Sequence, residues 1–148
     1  MTKAVFYQSI GPELARYDID VEGAALTRQD SVTTPDANVQ YVWPHPSKKF
    51  FYVVSTNGEP GGGDTPKGDN HVATAFRIDP ATGALEKHGP AAGLPSRPIH
   101  TSVDAAGQFL LIAYNEPSNV TVHRLNPDGT IREQLNQPGD LDFGIYGH

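Results

Sequence analysis

The chain contains no cysteine, one methionine and one tryptophan in 148 residues. Without cysteine, disulfides and thiolate chemistry are excluded, and the fold has no need of an oxidising compartment. Basic residues are scarce: 11 Lys and Arg stand against 17 Asp and Glu, a net charge of −6. That balance argues against a nucleic-acid or anionic-membrane surface. No stretch is long and apolar enough to span a bilayer, and MTKAVFYQSIGPEL lacks the apolar segment of a secretory signal. A cytoplasmic protein is the expectation. No window of helical length carries a helical period, so long helices are not expected. The six His are scattered, without HxxxH or HExxH spacing, so neither a metal nor a cofactor is expected.

Glycine (15) and proline (13) are frequent, which implies many turns. Between them lie short apolar stretches with strand character. The clearest is PSRPIHTSVDAAGQFLLIAYN, Pro95 to Asn115. It predicts a strand over Ile99 to Asp104, a turn at Ala105 to Gly107, and a second strand from Gln108 to Tyr114. That second run is apolar almost throughout, as in a strand buried on both faces. Strands over Asn119 to Asn126 and Thr130 to Gln134 follow, joined at Asp128-Gly129.

This unit repeats. His100 to Tyr114 aligns on Tyr41 to Ser55 at an offset of 59, and Val120 to Gly129 aligns on Ala73 to Gly83 at an offset of 47. The difference is one long loop, NGEPGGGDTPKGDN, Asn57 to Asn70, about twelve residues longer than its later counterpart. LARYDIDVEG, Leu14 to Gly23, is an earlier copy, and Gly144 to His148 opens another, with His148 placed 48 residues after His100. Four antiparallel strands repeating at about 47 residues predict an all-β fold, a β-propeller of four-stranded antiparallel blades. The copies span about residues 4–32, 39–88 and 99–135, with a fourth beginning at 144–148. The first copy lacks its innermost strand. About three blades leave the ring incomplete, since propellers use about four to eight. The expectation is therefore a piece of a longer protein, or a short one that completes its ring through other subunits. Open edges beside Ala4–Ser9 and at Gly144–His148 predict self-association or pairing with a complementary C-terminal fragment.

The repeated motifs PSRPIHTSVDAAGQFLLIAYN, NVTVHRLNPDGTI and QPGDLDFGIYGH resemble the pattern of the 6-phosphogluconolactonase-like, seven-bladed β-propeller lactonases, whose relatives include carboxymuconate-lactonising enzyme. The resemblance runs from Val5 to His148, somewhat under half of a family member. It departs at Ala113-Tyr114-Asn115-Glu116-Pro117, where the family commonly has Ala-Asn-Tyr-Gly. It implies metal-free hydrolysis of a small-molecule sugar lactone, or the related ring closure onto a double bond.

Such hydrolysis needs a base for water and a donor for the oxyanion. In a propeller the first strand of each blade lines the central channel. His100 and His148 start that strand in consecutive blades and are the catalytic candidates. Arg97, three residues before His100, is a candidate for holding a substrate carboxylate or phosphate. Tyr41, at the His100 position one blade earlier, is a second substrate-binding candidate. His45 is expected to face solvent from its turn, Trp43 to pack between blades, and the Asn57–Asn70 loop to be a flexible surface excursion. Two other roles remain open for the chain: a binding scaffold without catalysis, and an inactive part of a longer lactonase.

Overall fold

The computed structural model describes residues 4–34, 37–60 and 64–136. All its regular elements are strands, arranged in three antiparallel sheets that stand side by side without closing a ring. The first is β1 (Val5–Ile10), β2 (Glu13–Asp20) and β3 (Ala25–Thr33) in that order. The second begins with β4 (Asn38–Pro44), β5 (Phe50–Thr56) and β6 (His71–Ile78). Its outer edge is divided between β7 (Leu85–Lys87) and β8 (Ala92–Gly93), both paired with β6. The third runs β9 (Pro98–Val103), β10 (Phe109–Asn115), β11 (Ser118–Leu125) and β12 (Ile131–Gln134). The presumed fourth copy at Gly144–His148 lies outside the described residues.

The strand register carries both repeat offsets. Phe50 faces Arg77 across β5 and β6, and Phe109 faces Arg124 across β10 and β11. The outer strand of the second sheet is interrupted because Gly89 takes a positive φ of 74° and Pro90 has no N–H for the ladder.

Period-two alternation assigns each side of β5 to a different core. Tyr52 and Val54 pack with Ala73, Ala75, Leu110 and Ile112, at the seam between the second and third sheets. Phe51 and Val53 pack with Leu14 and Phe76, at the seam with the first. β5 is therefore buried on both faces from Phe51 onward. β10 departs from the expectation set by its apolar run. Leu110, Ile112 and Tyr114 are buried, whereas Phe109, Leu111 and Ala113 are only half-buried. Their face meets no described sheet, so apolar composition alone does not bury it.

Candidate functional site

Tyr41 and His100 occupy one structural position in neighbouring blades. Tyr41 faces Val54 on β5, and His100 faces Ala113 on β10, the same offset on both strands. Each follows an extra residue in its strand, Gln40 in β4 and Ile99 in β9, where the pairing slips. A bulge of this kind re-aims the side chain that follows it. The outcome is that the two rings meet, with centroids 4.3 Å apart. The Trp43 ring centroid lies 5.9 Å from that of His100. All three side chains stay exposed on the innermost strands. Trp43 thus touches the next blade through His100, with more than a third of its surface open rather than packed away. No hydrogen bond to the His100 ring is made among the described residues. His148 falls outside them, so the His100–His148 relation is not part of the described structure.

Arg97 turns away from this ring cluster toward the seam between the second and third sheets. Its Nη2 donates to the Gln40 side-chain oxygen at 2.8 Å, which ties the residue before His100's strand to the bulge before Tyr41. It lines a cleft of about 270 Å³ shared with Glu59, Lys67, His71, Asn115 and Glu116. Three separate loops and strand ends build this cleft, and no sequence motif links them. His71 is the member that sequence reasoning missed. Its Nδ1 lies 2.7 Å from the Thr56 hydroxyl, which also accepts the Gly58 N–H at 2.9 Å. Burial pushes the His71 imidazole below its usual range, against the opposing pull of Asp69 and a Gly68 backbone hydrogen bond. It is a neutral, anchored side chain at neutral pH.

The long Gly-rich loop is not a loose excursion at its base. Asn57 Oδ1 accepts the Asp69 and Asn70 N–H groups at 3.0 and 2.9 Å, and Asn57 Nδ2 donates to Asp69 at 2.8 Å. Gly58 and Gly68 cross so closely that a Cβ on Gly68 would lie 2.4 Å from the Gly58 nitrogen. An asparagine that satisfies both strands of a loop neck clamps it.

His45 also departs from expectation. Rather than facing solvent, it is half-buried, with Nε2 3.0 Å from the Gly107 carbonyl of the next blade and its ring edge-on to Phe50. Gly107 is at φ 70° with no room for a Cβ, and that opening admits the imidazole. A larger hollow of about 610 Å³ lies toward the other end of β5, between the first two sheets. Val5, Tyr7, Phe51 and Ile78 supply apolar wall, and Lys48, Lys49 and Asp79 also line it. Among the described residues, no group of His, Asp and Glu is placed to hold a metal ion. No helix is long and apolar enough to cross a membrane.

Comparison with known proteins adds three findings. The family model described as lactonase, 7-bladed beta-propeller, matches residues 4–139. Among solved structures, the chain is similar to a candidate 6-phosphogluconolactonase of Bacteroides fragilis at a TM-score of 0.71 and 16% identity, covering 88% of this chain and 34% of that one. It is similar to the periplasmic gluconolactonase of Pseudomonas aeruginosa at 0.69 and 22%, covering 90% and 38%. A Lactobacillus plantarum protein gives 0.61 and 19%, covering 93% and 38%. At these identities the likeness shows the fold, and the chain spans little more than a third of each of those proteins. Among curated proteins, none matches the chain.

Proposed function

This chain belongs to the seven-bladed β-propeller lactonases, and from that premise we propose that it supplies part of a lactonase hydrolysing a sugar-derived lactone at the channel mouth. The observation that carries this reading is the pairing of Tyr41 and His100 on adjacent innermost strands, 4.3 Å apart and exposed. Two aromatic faces beside an accessible imidazole suit a sugar ring, which packs its C–H face on aromatics. In this reading the His100 imidazole takes a proton from water as the oxygen attacks the acyl carbon. The acyl–oxygen bond of the ring then breaks, the proton passes to the leaving ring oxygen, and a hydroxy acid remains. His148, in the next copy of the repeat, is the second candidate for that base. Tyr41 acts as a substrate contact. No cofactor enters this chemistry.

A second reading, a propeller that binds a sugar without catalysis, is favoured by one observation. Among the described residues His100 has no acid to orient it, as a dedicated base normally would. One experiment separates the two. Glucono-lactone opening above the spontaneous rate is measured for the wild-type chain, His100→Ala and His148→Ala. The catalytic reading expects a fall of about a hundredfold or more from one of the substitutions, with folding intact by circular dichroism. Equal rates in all three remove both histidines from the mechanism. Retained sugar binding without any turnover supports the scaffold.

A further inference from the structure

Arg97 is a half-buried cation that nothing anionic answers. Among the described residues its one hydrogen bond goes to a neutral amide, Gln40, and no carboxylate pairs with it. Its Nε is sealed from solvent without an acceptor, so only the outer guanidinium edge can meet a ligand. A guanidinium does not shed its proton to escape this situation. Partial desolvation without a counter-charge is costly, and an anion arriving from outside would offset it.

The acids of the cleft do not fill that role. Glu116 is engaged by Lys67 at 3.3 Å, with both side chains well exposed, 43% and 64%. Glu59 is exposed as well. Charges facing water are screened, so Arg97, the less exposed group, sets the sign inside the cleft. Lys67 is taken up by Glu116, so a phosphate dianion would find one unpaired cation for its two charges. A carboxylate, with one charge and a planar pair of oxygens, matches one guanidinium edge.

We propose that the Arg97 cleft binds the carboxylate of a small hydroxy acid, with Ser96 and Asn115 on the same wall to take its hydroxyls. A volume of about 270 Å³ suits a ligand of a few carbons. The choice of ligand rests on the proposed function. Opening a neutral lactone creates one new charge, the carboxylate, and a cleft that answers it would hold product rather than substrate. The site itself stands on Arg97 and does not depend on turnover.

The test is direct titration of the chain by calorimetry, with sodium gluconate, inorganic phosphate and neutral methyl glucoside in separate arms. Wild type, Arg97→Gln and Arg97→Lys are compared. Gluconate is expected to bind wild type saturably, to weaken about tenfold or more in Arg97→Gln, and to weaken less in Arg97→Lys. Methyl glucoside is expected to bind no variant through this cleft. The proposal is overturned by equal gluconate affinity in Arg97→Gln and wild type, by phosphate binding as tightly as gluconate, or by no saturable gluconate binding to wild type. Should Arg97→Gln fail to fold, Arg97→Lys decides by the same criterion. Gluconate binding that depends on Arg97, with lactone opening indifferent to His100→Ala and His148→Ala, would remove the proposed catalytic site and leave this one standing. Lactone opening with gluconate indifferent to Arg97 would do the reverse.

Discussion

The phenol of Tyr52 donates a 2.8 Å hydrogen bond to the backbone carbonyl of Gly129 in the next blade. One blade earlier, Tyr7 does the same to Gly83 at 2.5 Å. Both glycines sit at positive φ, 85° and 75°, in the turn before an outer strand. A Cβ on Gly129 would lie 2.4 Å from the Phe50 ring, and one on Gly83 would lie 2.9 Å from Val5. The second strand of each of the first two blades therefore locks onto a bare turn of its neighbour. In β10 the place of Tyr52 is taken by Leu111, which has no hydroxyl to repeat the lock.

From this lock, Gly129→Ala should destabilise the chain by roughly 2–4 kcal/mol, combining a left-handed backbone with overpacking. Tyr52→Phe should cost about 1 kcal/mol through the lost hydrogen bond. Urea unfolding followed by circular dichroism measures both. A Gly129→Ala chain as stable as wild type would contradict the lock.

Gly107→Ala should act on the same seam through a different partner. Its Cβ would lie 2.4 Å from His45 Nε2, so the imidazole must leave and its hydrogen bond to the Gly107 carbonyl is lost. The double variant Gly107→Ala with His45→Ala is expected to recover part of the loss, because the clash is removed. Urea midpoints that add without any recovery would show that His45 is not what Gly107 accommodates.

His123 is buried, and desolvation holds its imidazole below the usual range despite a hydrogen bond with the Arg132 carbonyl. Its Nε2 has no partner among the described residues. His71 is shifted the same way, also chiefly by burial. A folded pKa below the unfolded one means that the unfolded chain binds the proton more readily. Stability from these groups is thus complete above about pH 6.5 and declines as pH falls from there through the lowered folded pKa values. His123→Leu should flatten that decline in urea midpoints taken between pH 7 and pH 5. An unchanged slope would remove His123 as its source.

The first sheet turns an apolar face outward: Phe6, Ile10, Ile19 and Leu26 are between 36% and 56% exposed. On this face Tyr17 bonds Gln8, and Arg28 pairs with Glu13, leaving the apolar side chains uncovered. Among the described residues β1 pairs with β2 alone, which leaves its other edge open. An open edge next to apolar surface favours pairing with another strand. The chain is expected to self-associate with rising concentration in sedimentation, and Phe6→Lys with Ile10→Lys to reduce this strongly. Sedimentation as a monomer at every concentration would refute it.

The repeat was legible because strands announce themselves by alternation and turns by Gly and Asp. Asp104 illustrates this: burial opposes its ionisation, yet the N–H groups of Ala106, Gln108 and Phe109 hold its carboxyl below the usual range, as a turn former should be held. β8 was not legible. Ala92–Gly93 has no strand propensity and pairs only because β6 leaves an edge free beyond Pro90. His45 was misread because a histidine in a Pro-rich turn says nothing about which glycine a neighbouring blade will bring to it.

The order of residues alone determined the all-β architecture, the blade period and the equivalence of Tyr41 with His100, since each follows from local pattern along one chain. What only the tertiary structure decided is which residues meet. The 4.3 Å approach of Tyr41 to His100 and the union of Arg97, His71 and Asn115 around one cleft arise where adjacent sheets touch. Packing between sheets depends on shape and burial across distances in sequence that no local periodicity encodes.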